Sequence, residues 1–143
     1  YSYESNFPCR AGQTEGVLIG GNLSLLIAVE GSESEMDYTN KILFLADVGE
    51  HEYSIDKMMR LLKRAGKLAK LKGLIIGAFN EIGEETIPFG QTPEEIIWEL
   101  VKDYNYPVCF NFPTGHINDN RAMVLGKNVS LNVNNNKVKF NFL

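Results

Sequence analysis

Histidine, cysteine and tryptophan are scarce in this chain, whose 143 residues hold two, two and one of them. The two cysteines, Cys9 and Cys109, stand far apart in sequence. They make neither a disulfide framework nor a zinc pattern, and free thiols in a reducing compartment are expected. No group of His, Asp or Glu has metal-ligand spacing, and nothing in the chain implies a cofactor. No apolar run approaches the roughly 20 residues that span a bilayer, so no membrane partner is expected. Tyr1 to Arg10 lacks the basic start and apolar core of a signal peptide, although the start at Tyr1 rather than Met suggests that a segment precedes it. Positive charge is also short, with 14 basic against 18 acidic side chains and a net charge of −4. That balance excludes the usual footprint of a nucleic-acid binder. The one basic run, Lys63, Arg64, Lys67, Lys70 and Lys72, belongs to an amphipathic helix and reads as a solvated face. A Gly-x-Ser-x-Gly elbow is missing, and so is a phosphate loop.

What remains is an ordinary globular composition, 44% hydrophobic and 22% charged, of a length that suits one domain over residues 1–143. Val17 to Ile19 and Ser24 to Val29 read as two extended pieces around a tight turn at Gly20-Gly21. Gly31 to Asn40 is a polar loop, and Lys41 to Asp47 (KILFLAD) is a buried strand. Ser54 is the expected cap of a helix carrying Ile55, Met58, Met59, Leu62, Ala65 and Ala69. Gly73 to Phe79 (GLIIGAF) returns as a strand, followed by a polar loop with three glutamates from Asn80 to Gln91. Thr92, Pro93 and Glu95 spell a capped helix start, with Ile96, Ile97, Leu100, Val101 and Tyr104 as its buried stripe. Pro107 to Phe112 (PVCFNF) is a further strand. Val129, Leu131 and Val133 face Val138, Phe140 and Phe142 across Asn134-Asn135-Asn136 in a hairpin. The order predicts an α/β fold, a mixed sheet with two main helices and a C-terminal β-hairpin.

Three places could carry chemistry. His116 follows the PVCFNF strand in Phe112-Pro113-Thr114-Gly115-His116, and ligands in α/β sheets gather at the carboxyl ends of strands. A solvated loop histidine is the competing reading. Asp47 and Glu50 follow the KILFLAD strand and could orient an imidazole, or could simply end the strand and face water. Beside them, His51 reads as a solvated loop residue. Gly20, Gly21 and Asn22 would let a ligand or a neighbouring backbone come close, though a plain turn explains them as well. Cys109, in mid-strand, reads as a small core residue. On the residues alone this is an α/β domain with one plausible base and no nucleophile.

Taken together, GVLIGGNLSLL, KILFLADVGE, YSIDKMMRLLKRAG, GLIIGAF and PVCFNFPTGH resemble, in order and spacing, the C-terminal domain of the serine-type LD-carboxypeptidase family. The resemblance runs over nearly the whole chain. It implies a swivelling β/β/α-type domain from an enzyme that removes D-alanine from muropeptide tetrapeptides in peptidoglycan recycling. A sister branch hydrolyses a peptide-nucleotide antibiotic and confers immunity. It further implies a serine nucleophile on an N-terminal domain outside this chain, a cytoplasmic homodimer and no cofactor. His116 matches the family histidine as general base, and Gly20, Gly21 and Asn22 would line the cleft. The departure is at the acid, because the family reads Phe-Leu-Glu-Asp where this chain reads Phe44-Leu45-Ala46-Asp47. Ala46 thus stands where the orienting glutamate is expected. Asp47 is a poor substitute, since adjacent strand residues point to opposite faces. A catalytically inactive peptide-binding module is the alternative that Ala46 supports.

Overall fold

A computed structural model describes residues 1–83 and 86–143, so Glu84 and Glu85 of the expected acidic loop lie outside the described residues. The elements run β1 (Ser2–Glu4), β2 (Gly12–Asn22), α1 (Leu23–Val29), β3 (Ile42–Val48), α2 (Glu52–Arg64), a 3-10 turn (Leu68–Lys70), β4 (Gly73–Asn80), α3 (Pro93–Val101), β5 (Val108–Cys109), β6 (Asn128–Asn134) and β7 (Lys137–Phe142). Among the described residues the strands form one seven-stranded mixed sheet in the order β1-β7-β6-β2-β3-β4-β5. The long β2 joins its two halves. Gly12 to Val17 pair antiparallel with β6, and Leu18 to Asn22 pair parallel with β3.

The two halves bury their side chains in separate cores. Leu43 and Leu45 of β3 pack with Leu23, Ile55, Met59, Leu62, Ile97 and Val108 beneath the helices. Ile42, Phe44 and Ala46, on the opposite face, pack with Leu18, Phe112, Val129, Leu131, Val138 and Phe140 of the ribbon side. The two-residue alternation of a strand produces that split. Having a core on each face explains why KILFLAD is apolar almost throughout.

The expected turn at Gly20-Gly21 is not there, because β2 runs straight through both glycines. A Cβ on Gly20 would lie 1.9 Å from the Phe44 carbonyl oxygen, and Gly20 has φ of 129°. A close approach of β2 to its parallel neighbour β3 is therefore what this glycine permits. Ser24 to Val29 is also not extended. It is the body of α1, capped by Asn22, whose side chain accepts the Leu25 N–H, with Leu23 and Leu26 buried at helical spacing. Five of the seven residues are Leu, Ile or Ala, so the apolar run suited either period, and the cap decided between them.

Helix α2 starts earlier than Ser54, at Glu52 with His51 in the cap position. Its basic run is not one solvated face. Lys63 donates to the Leu100 carbonyl at 2.9 Å, and Lys67, beyond the helix, pairs with Glu30 and Glu35. Helix α3 has the expected capping box, Thr92 accepting from the Glu95 N–H and Glu95 from the Thr92 N–H. The PVCFNF strand shortens to Val108–Cys109, because Asn111 takes a φ of 54° and breaks the extended run. The closing hairpin turns on Asn135 and Asn136 with φ of 46° and 65°, the conformation that favours a tight two-residue turn.

Candidate active site

Because β2, β3, β4 and β5 run parallel, their carboxyl ends lie at one end of the sheet. Asn22, Ala46, Asn80 and the loop after β5 meet there. That loop is bound to the sheet and to itself. The Ala78 N–H donates to the Thr114 carbonyl at 2.9 Å, and the Arg121 N–H to the Pro113 carbonyl at 2.8 Å. The buried Thr114 hydroxyl donates to the Arg121 carbonyl at 2.5 Å, and the Gly115 N–H donates to Asn120 Oδ1 at 3.1 Å. Arg121 makes a two-toothed contact with Asp119, its guanidinium hydrogen bonds holding that carboxyl below its ordinary range.

His116 stands exposed on this braced loop, one residue beyond Gly115. A Cβ placed on Gly115 would lie 3.0 Å from the Ala78 Cβ and 3.5 Å from the Ala46 Cβ. The loop therefore passes directly over Ala46, and His116 leaves it into solvent. Asn80, at the end of β4, donates from Nδ2 to the His116 carbonyl at 2.6 Å. Its Oδ1 is buried without a hydrogen-bond partner, an unusual condition for a polar atom inside a folded chain. Nothing in the sequence marked Asn80. Its position at a strand end, beside a loop rich in Pro and Gly, is the available signal.

Asp47 is not near this face. It is 2% exposed and turns to the helix side. Its Oδ1 accepts from Asn22 Nδ2 at 2.6 Å and from the Val48 N–H at 2.9 Å, and its Oδ2 accepts from the Ser24 N–H at 2.8 Å. The carboxylate thus sits at the positive end of α1 and holds Asn22 in its capping position. Asn22 is occupied by that task, while Gly20 serves the close approach of β2 to β3, and Gly21 has open space about its Cα. The structure accordingly sets Gly115, the residue before His116, against position 46 and leaves Asp47 on the opposite side.

Glu50 accepts the Gly83 N–H through its carbonyl at 3.1 Å. His51 is not a solvated residue. Its ring lies so close under Gly83 that a Cβ there would be 2.3 Å from Cε1, and it stacks on Tyr53 with centroids 5.3 Å apart. Among the described residues no three His, Cys, Asp or Glu side chains gather as metal ligands would, and no helix is long and apolar enough to cross a membrane.

A family model described as the LD-carboxypeptidase C-terminal domain matches residues 15–131. The chain is 31% identical over 121 residues to a probable murein peptide carboxypeptidase of Bacillus subtilis, covering 85% of this chain and 38% of that protein. It is 26% identical over 132 residues to the microcin C7 self-immunity protein of Escherichia coli, covering 90% of this chain and 37% of that protein. The crystal structure of a muramoyltetrapeptide carboxypeptidase from Oxalobacter formigenes superposes with a TM-score of 0.87 at 28% identity, covering 99% of this chain and 48% of that one. The chain thus spans less than half the length of these relatives.

Proposed function

We propose, from the premise that this chain belongs to the LD-carboxypeptidase C-terminal domain family, that it supplies the histidine of a serine-type peptidase acting on murein peptides. In this reading the nucleophilic serine is carried by an N-terminal domain that faces the strand ends across a cleft. His116 takes the proton of the serine hydroxyl as it attacks the peptide carbonyl, then returns it to the departing D-alanine amine. Water attacks the acyl-enzyme by the same proton path in reverse. The exposure of His116, on a loop held by five hydrogen bonds through Thr114, Gly115, Arg121 and Asn80, suits a base that must be aimed yet reach another domain. A cytoplasmic homodimer is the setting the resemblance implies.

The observation that carries the assignment is the packing of Gly115 over Ala46, which brings the histidine loop to the one position where the family has glutamate. From there a longer acidic side chain would extend toward the His116 imidazole. The methyl of Ala46 can neither accept the imidazole N–H nor stabilise the imidazolium, and loss of such an acid costs about 10⁴-fold in turnover. Asp47 cannot replace it, since its oxygens are engaged with Asn22, Ser24 and Val48 on the far face.

Ala46 also favours a second reading, a module that holds muropeptides or antibiotic peptides without cutting them. The two separate in one experiment. Full-length protein, with alanine or with Ala46→Glu, is assayed for D-alanine release from a muropeptide tetrapeptide. A gain of several orders of magnitude for Ala46→Glu supports the triad. Equal activity in the two forms sinks the assignment of position 46. Binding without turnover in both supports the holding module.

A further inference from the structure

Sequence separation hides the nearness of the two thiols of the chain. Arg10 and Val108 form an isolated antiparallel bridge, with the Arg10 N–H donating to the Val108 carbonyl at 2.9 Å and the Val108 N–H to the Arg10 carbonyl at 3.2 Å. In antiparallel register, the residue before Arg10 faces the residue after Val108. Those residues are Cys9 and Cys109. They occupy the neighbouring position without ladder hydrogen bonds, where side chains come closest and Cα atoms lie about 4.5 Å apart. Disulfides span Cα separations of about 4.4–6.8 Å.

The side-chain directions agree. Arg10 sends its guanidinium to the Val101 and Lys102 carbonyls at the end of α3, on the helix side with Val108. Strand alternation turns the adjoining residues, Cys9 and Cys109, the other way. Cys109 is fully buried in the ribbon-side core, and Cys9, partly exposed, packs against both cores with its Sγ donating to the Phe7 carbonyl at 3.4 Å. Tyr3 lies beside Cys109. Its hydroxyl donates to the Phe110 carbonyl at 2.7 Å and is within hydrogen-bonding reach of the Cys109 thiol. Both thiols are free in this structure.

We propose that Cys9 and Cys109 form a latent cross-strand disulfide site that closes by exchange with a small-molecule disulfide. The accessible Cys9 thiolate attacks one sulfur of the small disulfide, whose S–S bond breaks as the first small thiolate leaves. Cys109, giving its proton to solvent, attacks the Cys9 sulfur of the mixed disulfide, and the second small thiolate leaves. The two protein thiols are oxidised and the small disulfide is reduced to two thiols. Burial pushes the Cys109 thiol up to about 12, so the second step is the slow one and quickens with rising pH. Closure fastens the segment before β2 to β5, the edge strand that leads into the His116 loop.

The test takes the full-length protein into oxidised glutathione at pH 8.5, then unfolds it, alkylates the remaining thiols and digests it without reductant for mass spectrometry. The expected product is a Cys9–Cys109 linked peptide two hydrogens lighter than its parts. It should be lost in Cys9→Ser, a change at a partly exposed site that leaves the core intact. The oxidised wild type should melt higher by roughly 5–10 °C than the reduced form. Recovery of Cys109 as the alkylated thiol, with Cys9 either alkylated or bearing glutathione, overturns the proposal.

Discussion

The two faces of β3 end differently. On the helix face, Leu43 and Leu45 lead to Asp47, a buried carboxylate whose two oxygens hold the start of α1. On the ribbon face, Ile42 and Phe44 lead to Ala46, a methyl lying beneath the Gly115 loop. The first end is complete as a piece of structure. The second is complete as packing, and it is there that the proposed function expects a charged group. Neighbours in sequence are opposites in space here, so structure and function can be altered separately at positions 46 and 47.

The largest effect expected is on the ribbon face. If Ala46→Glu restores D-alanine release in the full-length protein, adding His116→Ala should remove nearly all of the gain, about 10³–10⁴-fold. Steady-state kinetics of the single and double variants decide it. A double variant as active as Ala46→Glu alone would break the assignment of His116. The melting temperature should barely move for His116→Ala, because the side chain is exposed.

Next in size is Asp47→Ala on the helix face. It strips acceptors from Asn22 Nδ2 and from the Ser24 and Val48 N–H groups, and should cost about 2–3 kcal/mol in urea unfolding. In the Ala46→Glu background the folded fraction should keep its kcat. A kcat falling as steeply as for His116→Ala would show that Asp47 takes part in the reaction after all.

Gly115→Ala comes third. The glycine has φ of 128°, and the added methyl would meet Ala78 at 3.0 Å, so a loss of about 1–2 kcal/mol is expected. The loop would lift from position 46, and the gain from Ala46→Glu should shrink while Asp47 and α1 are unaffected. An undiminished gain would mean that the close fit of Gly115 over position 46 is irrelevant.

The smallest effect is a loss of stability at high pH, to which Tyr3 and Cys109 contribute from the ribbon side and the buried Tyr38 and partly buried Tyr106 from the helix side. Burial raises the Tyr3 hydroxyl far above its ordinary range, and burial pushes the Cys109 thiol up to about 12. Both groups stay protonated in the fold and ionise more readily when unfolded. The stability they contribute is therefore whole below about pH 9 and falls as pH rises from there toward 12. Urea midpoints at pH 8 and pH 10.5 measure this, and Tyr3→Phe should reduce the difference by the Tyr3 share. An unchanged slope would remove Tyr3 from the account.

The expectations that failed share a cause. The run from Ser24 to Val29 suits a strand or a helix by hydrophobicity alone, and the Asn22 cap, held in place by the Asp47 side chain far along the chain, selected the helix. Gly20-Gly21 read as a turn because glycine is permissive, but a close approach of Phe44 is what required it. The fold class was legible, as were the α3 capping box and the Asn135-Asn136 turn, because each depends on residues within a few positions of one another. His116 was legible as a candidate from its place after a strand. Asn80 was not, for its bond to the His116 carbonyl crosses from one strand end to another.

The sequence by itself determined the periodicity of the longer elements, the α3 capping box, the closing asparagine turn and the family resemblance. These are local patterns of side-chain type, and they need no knowledge of what lies across the sheet. Only the tertiary structure decided that Ala46 and Gly115 adjoin, that Asp47 serves α1, and that Cys9 faces Cys109. Each of those facts rests on strand register and on which face of a strand is turned inward, and pairing between distant segments sets both.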